Sequence, residues 1–183
     1  MLLVEQHIVN RTHPAWPALD QAAFASKNLY NAANYILRQH FFKTNQLIRY
    51  ATLAKQMNDS PDYRALPRKV SQQVLMQLDH DWHAFLAAQR AYQREPAQFT
   101  GRPRLPQYKH KTAGRNLIVY TRQALSIKAL RRGYVQPSGL AVAFQTQHPQ
   151  VHQVRVVPCA TPYTVEVVYA RAVAAAPDLN PEW

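Results

Sequence analysis

Cations are the residues in this sequence whose type and spacing point to chemistry. Gly101-Arg102-Pro103-Arg104-Leu105-Pro106-Gln107-Tyr108-Lys109-His110-Lys111 carries Arg102, Arg104, Lys109 and Lys111 along a stretch interrupted by Pro103 and Pro106, and Arg115 follows shortly after. Proline holds such a segment extended, so successive cations can follow a phosphate backbone with little chain entropy left to lose on binding. Tyr108 stands among them and can stack on a base or a ribose. If about five phosphates were engaged on a duplex, affinity would fall with salt at a log–log slope of roughly −4 to −5. Two plainer readings compete: a solvated charged loop that binds nothing, and a proline-rich peptide taken up by a partner domain. The peptide is too cationic to favour the second.

Catalytic and metal-binding constellations are weaker. His80 and His83 are close enough in sequence to share a helix face, with Asp79 and Asp81 beside them. Trp82 and Phe85 belong to the apolar stripe of that segment, and no third His or Cys lies nearby, so a solvent-facing polar stripe is the better reading. His148 and His152, on either side of Pro149, make a weaker pair still. Metal-dependent nucleases cluster several carboxylates around divalent ions. This chain has 10 acids, and only Glu166, Asp178 and Glu182 follow residue 96. No His-apolar-His strand of the kind used by tyrosine-nucleophile transposases is present, and with 4 glycines there is no glycine-rich phosphate cradle. The reading therefore assigns no catalytic residue, no metal ligand and no cofactor.

The charge balance agrees with the loop. A net charge of +12 over 183 residues marks a polyanion as the expected partner. Between Arg90 and Arg132 there are 11 cations and one acid, Glu95, so +10 of the net charge falls in less than a quarter of the chain. Hydrophobic residues make up 47% of the sequence, which speaks against disorder over its whole length. A single cysteine, Cys159, excludes an internal disulfide and a cysteine-cluster zinc site, and fits a reducing compartment. The N-terminus does not read as a secretory signal, and no apolar run approaches the roughly 20 residues that span a bilayer. The expected setting is the cytoplasm, with nucleoid association when DNA is bound and no membrane partner.

Periodicity says what must position the loop. Residues 2–9 read as a short strand. From Pro14, with Thr12 or His13 as cap, a first helix carries the stripe Leu29, Ala33, Ile36, Leu37, His40 and Phe41 and stops at Asn45. A shorter helix is expected over 50–57, a turn or one-turn cap at Ser60-Pro61-Asp62, and a second long helix after Pro67 with the stripe Val70, Val74, Leu78, Trp82, Phe85 and Leu86. The two long helices are expected to pack antiparallel. From residue 116 the period becomes two, with strands around 117–120, 140–145, 154–156 and 163–170. Residues 2–9 would be orphaned unless they joined that sheet. The expected architecture is α+β: a small antiparallel β-barrel with a helical bundle inserted after its first strand. The boundaries are 1–12 for the first strand, 13–98 for the bundle, 99–115 for the basic loop, 116–173 for the remaining strands and 174–183 for a linker.

The order of motifs resembles a known family. Ser26-Lys27-Asn28-Leu29-Tyr30-Asn31-Ala32-Ala33 with Arg38-Gln39-His40-Phe41-Phe42 is similar to the first long helix of OrfB/TnpB-type insertion-sequence transposases. Tyr63-Arg64-Ala65-Leu66-Pro67 with Val70-Ser71-Gln72-Gln73-Val74-Leu75 resembles the start of their second. The 101–109 stretch resembles their basic loop, and Gly114-Arg115-Asn116 with Val119-Tyr120-Thr121 the strand after it. Val154-Arg155-Val156-Val157-Pro158 and Glu166-Val167-Val168-Tyr169 are similar to their final strands before the catalytic domain.

The resemblance implies a wedge-like β-barrel with an inserted recognition bundle that holds a guide RNA and helps recognise a short duplex motif beside the DNA target. In that family a RuvC-like domain, often with a zinc ribbon, makes the cut, and type V CRISPR effectors are relatives. This chain stops at Asn180-Pro181-Glu182-Trp183, where that domain would begin, so its catalytic carboxylates and zinc cysteines have no counterpart here. The resemblance implies backbone contacts from Arg102, Arg104, Tyr108, Lys109, Lys111 and Arg115. Asn28, Tyr30 and Asn31 are further candidates, for which helix–helix hydrogen bonding is an equal reading. The expected function is binding of guide RNA and DNA without cleavage by this chain alone. The alternatives are a standalone regulator, the binding half of a nuclease whose catalytic half is a separate chain, and a decayed transposase fragment.

Overall fold

The structure is a computed structural model and describes residues 1–171, so the linker expected over 174–183 lies outside the described residues. The chain opens with strand β1, Leu2–Val9. Helix α1 then runs over Trp16–Thr44. His13 helps start it from outside, its Nδ1 accepting the Ala15 N–H at 3.0 Å. Pro17 occupies the first turn, where a missing N–H leaves no bond unmade. Asn45 ends the helix in the left-handed region, at φ 55°, and its N–H reaches the Phe41 carbonyl at 2.7 Å.

Helix α2, Tyr50–Met57, is followed by the single turn α3, Pro61–Arg64, which Ser60 caps through a 3.2 Å bond from the Tyr63 N–H. Helix α4, Arg68–Arg94, begins directly after Pro67.

The long helices run parallel, not antiparallel as expected of helices joined by short connections. Moving up α1, Tyr30 meets Asp81, Asn34 meets Trp82 and Phe41 packs on Trp82, while Ser26 is linked through Asn116 to Gln77. Ala18, Ala22 and Ala25, near the start of α1, border the same cavity as Leu66 and Pro67 at the start of α4. The reason is the connection. Residues 45–67, with α2 and α3, are long enough to return along the pair, so α4 sets out from the same end as α1.

Four strands form an antiparallel sheet in the order β1-β6-β5-β2, where β2 is Ile118–Thr121, β5 is Val151–Pro158 and β6 is Tyr163–Ala170. β1 joins it through β6, in a register from Leu2 opposite Ala170 to Val9 opposite Tyr163. The inward residues Ile118, Tyr120, Val154, Val156, Val165 and Val167 share one buried cluster with Val70, Val74 and Leu78 of α4 and Leu19, Ala23, Leu29 and Leu37 of α1. Short α5, Ile127–Leu130, and a two-stranded ribbon of β3, Tyr134–Val135, and β4, Phe144–Gln145, complete the described chain.

The class is α+β, and the described sheet is open rather than a closed barrel. Closure would need hydrogen-bonded strands to bridge β1 and β2. The alternating stretch 140–145 pairs only at Phe144–Gln145, with β3. Gly139, at φ 74°, turns the preceding chain so closely onto Pro67 that a Cβ there would sit 2.7 Å from the proline Cγ. Leu140 and Val142 then pack against the common core instead of pairing. No helix among the described residues is long and apolar enough to cross a membrane.

Candidate nucleic-acid interface

Residues 101–117 form neither helix nor strand. Prolines at 103 and 106 remove backbone donors, and the remaining carbonyls need partners from elsewhere. Helix α1 supplies them for Pro106, Lys109 and Lys111. Lys27, Asn31, Asn34 and Arg38 recur at helical spacing on one stripe, and the loop runs along it in the opposite direction. Asn34 Nδ2 and an Arg38 guanidinium nitrogen donate to the Pro106 carbonyl at 3.0 and 2.9 Å. Asn31 both donates to the Lys109 carbonyl at 2.8 Å and accepts the Lys109 N–H at 2.9 Å. Lys27 Nζ donates to the Lys111 carbonyl at 2.5 Å. Asn34 itself is fully buried, and its Oδ1 accepts the Trp82 indole N–H at 3.0 Å, so one amide ties α1, α4 and the loop together.

The far end of the loop is fixed as firmly. Arg115 meets both carboxylate oxygens of Asp20, each at 2.8 Å, and the Tyr163 hydroxyl donates to the same carboxylate at 2.6 Å. The Arg115 guanidinium beside it holds the Asp20 carboxyl below its ordinary range, against the opposing pull of burial. Asn116 donates to Ser26 Oγ at 3.0 Å, and Ser26 in turn donates to the Leu117 carbonyl at 2.9 Å. Between the two anchors Gly114 closes a turn with its N–H on the His110 carbonyl at 3.1 Å. A Cβ at Gly114 would collide with that carbonyl, so the turn requires glycine.

With its backbone tied down, the loop presents its side chains. Arg102, Arg104, Tyr108, Lys109 and Lys111 are all exposed. Among the described residues, none of these four cations has a carboxylate within ion-pair distance. Lys109 Nζ lies 5.2 Å from the Tyr30 ring centroid, and the Arg38 guanidinium covers the Tyr108 ring at 4.8 Å. Burial pushes the Lys27 ammonium below its usual range, and the positive charges of Arg115 and Lys111 add to that.

The other candidates serve the scaffold. Arg115 is committed to Asp20. Both polar atoms of the Asn31 amide are used on Lys109. Tyr30 is 3% exposed, and its hydroxyl points to Asp81 Oδ2 at 3.5 Å, a helix–helix contact. Burial first, then Asp81, pushes that hydroxyl up to about 12. Asn28 stays half-buried on the outer flank of α1. His83 lies against Asp79, and among the described residues no three His, Cys, Asp or Glu side chains converge on a point that could hold a metal ion.

A second surface was not evident from the sequence. A cavity of about 630 Å³ between the first half of α4 and the β2–β5 side of the sheet is lined by Lys69, Gln72, Gln73, Arg122, Gln123 and Gln153. Glutamine amides offer a donor and an acceptor side by side, the pattern that matches base edges, and the two cations suit flanking phosphates. The recurrence of glutamine at 72, 73, 123, 150 and 153 is the only sequence signal that could have found it. No family model matches the chain, and no curated protein matches it. The geometry therefore carries the functional argument.

Proposed function

We propose that this chain binds nucleic acid, holding a guide RNA and the backbone of its DNA target in the manner of the N-terminal part of an OrfB/TnpB-type transposase. The observation that carries this is the clasped loop: α1 bonds the carbonyls of Pro106, Lys109 and Lys111 while Arg102, Arg104, Lys109 and Lys111 stand exposed with no acidic partner among the described residues. A loop held for its own sake would not need cations, and cations meant only for solubility would not need a rigid track. Phosphate contacts position such a protein, and base pairing of the guide supplies sequence. The glutamine-lined cavity is the place where a short duplex motif would be read. In this reading the wedge-like role falls to the open sheet with its β3–β4 ribbon, and the protein works in the cytoplasm, nucleoid-associated when bound to DNA.

Cleavage is not part of the proposal for this chain alone. Its inward carboxylates are each occupied separately: Asp20 by Arg115 and Tyr163, Glu5 by Thr146 and His7, Glu166 by Arg155, Asp81 by Tyr30. A RuvC-like partner, in a separate chain if the enzyme is split, would supply the cut.

The test is binding measured against salt. RNA should copurify with the protein, and oligonucleotide affinity should fall steeply as salt rises. Replacing Arg102, Arg104, Lys109 and Lys111 together by Ala should weaken binding and flatten the log–log slope on duplex DNA by about 3 to 4. An unchanged slope in that variant would count decisively against the loop, and no binding by the parent protein at low salt would end the proposal.

A further inference from the structure

Beside the stripe of α1 that clasps the loop runs a second one. Asn28, Tyr35 and Phe42 follow one another at intervals of seven residues, two helical turns, and so lie on a single ridge about 10 Å apart. Tyr35 is 57% exposed and Phe42 63%, an unusual state for aromatic side chains on a helix whose opposite face is fully packed. Between them along the axis comes Arg38, with Tyr108 of the loop, 44% exposed, against its guanidinium. Along the axis Arg38 thus comes about 4 to 5 Å after Tyr35 and about 6 Å before Phe42, which sets Tyr108 beside the interval between the two helix rings.

We propose that Tyr35, Tyr108 and Phe42 form a stacking ladder for the bases of single-stranded nucleic acid, whose phosphates lie on the cations of the adjoining loop. The inference rests on the nucleic-acid-binding reading above and narrows it to a strand with accessible base faces. Charge decides the occupant. From residue 21 to residue 44, α1 contains no acid, while it carries Arg38 and Lys43 and the loop clasped beside it carries Lys109 and Lys111. An apolar protein surface docking there would bury those cations without partners, at a large desolvation cost. A duplex would satisfy the charges but hides its base faces in its own stack. A single strand offers phosphates and flat π-faces together, and aromatic platforms beside cationic grooves bind it with little regard to sequence. Arg38 strengthens the arrangement, because a guanidinium held against Tyr108 fixes the ring and adds its own attraction to a base.

The experiment uses the whole chain with oligouridylate and oligodeoxythymidylate of about 12 nucleotides, and a DNA duplex of the same length as comparison. Tyr35→Leu, Tyr108→Leu and Phe42→Leu keep apolar bulk at exposed positions and remove the rings. Each should lower single-strand affinity about five- to tenfold, and the triple variant about a hundredfold or more, with duplex affinity held within about twofold. Tyr35→Phe and Tyr108→Phe should bind like the parent. A 2-aminopurine placed within the single strand should be quenched by the parent and not by the triple variant, and circular dichroism should show the same helix content in both.

Unchanged single-strand affinity in the triple variant would overturn the ladder, as would an equal loss on the duplex. Altered self-association with untouched oligonucleotide binding would assign the ridge to a protein partner instead, and would also overturn it. If the parent protein binds no nucleic acid at all, the broader reading falls with it. If binding depends on the four loop cations and not on the rings, only the ladder falls.

Discussion

Asn34→Ala perturbs a buried side chain that joins both long helices to the loop. Asn34 is fully buried, accepts the Trp82 indole N–H at 3.0 Å and donates to the Pro106 carbonyl at 3.0 Å. Alanine leaves the buried indole donor without a partner, which costs about 1–3 kcal/mol. The Pro106 carbonyl keeps its bond from Arg38 at 2.9 Å, so losing the second donor there costs less, about 0.5–1 kcal/mol. The sum is about 2–4 kcal/mol, or a fall in Tm of roughly 5–15 °C for a chain of this size. Urea unfolding followed by circular dichroism measures it, with the midpoint moving and the m-value constant. Trp82→Phe supplies the control, since it removes the indole donor in advance. In that background Asn34→Ala should cost about 1–2 kcal/mol less, a coupling energy that isolates the hydrogen bond. The same substitution frees the loop near Pro106, so oligonucleotide affinity should drop while the salt slope, which counts cations, stays put. A cost below about 0.5 kcal/mol, or an identical cost in both backgrounds, would refute the role assigned to this amide.

Acid should release the other end of the loop. Asp20 is held below its ordinary range by Arg115, so the stabilisation it provides is complete above about pH 4 and is lost as the pH falls through the depressed native value. Asp20→Asn should therefore cost about 1–3 kcal/mol at neutral pH, and the gap between variant and parent should close toward pH 2 in urea titrations; a gap independent of pH would contradict the ion pair. Gly114→Ala drives a Cβ into the His110 carbonyl, and thermal unfolding should register about 1–3 kcal/mol of destabilisation together with weaker oligonucleotide binding. A neutral Gly114→Ala would mean that the turn is not held as described.

The loop's cations and prolines were legible because charge density and proline spacing survive any folding context. The helix over 50–57, the stop at Asn45 and the strand at 2–9 were legible for similar local reasons: stripe, left-handed cap and alternation. The direction of α4 was not, because periodicity describes each helix and is silent about the path between them. Residues 45–67 read as turns and a short helix, and only their packing shows that they carry the chain back to its starting end. The clasp was invisible for another reason. Lys27, Asn31, Asn34 and Arg38 are polar residues on a helix, a pattern that ordinarily means a solvated face, and their partners are carbonyls some 70 to 85 residues away. Alternation at 140–145 misled, since Gly139 against Pro67 redirects the backbone before a full strand can pair. The glutamine cavity draws on segments far apart in sequence, and no one of them is distinctive alone.

The pairing of β1 with β6 sets an order of assembly. Leu2–Val9 leave the ribosome long before their neighbour in the described sheet, Tyr163–Ala170, is made. Until then the backbone of residues 2–9 has no strand to pair with and Val9, fully buried in the finished core, has no place to pack, while α1 to α4 are free to dock and the clasp waits for residues 106–117. Folding from the ribosome should thus proceed from the middle outward, with the two ends of the described chain meeting to finish it, Met1 and Arg171 exchanging backbone bonds at 3.0 and 2.9 Å.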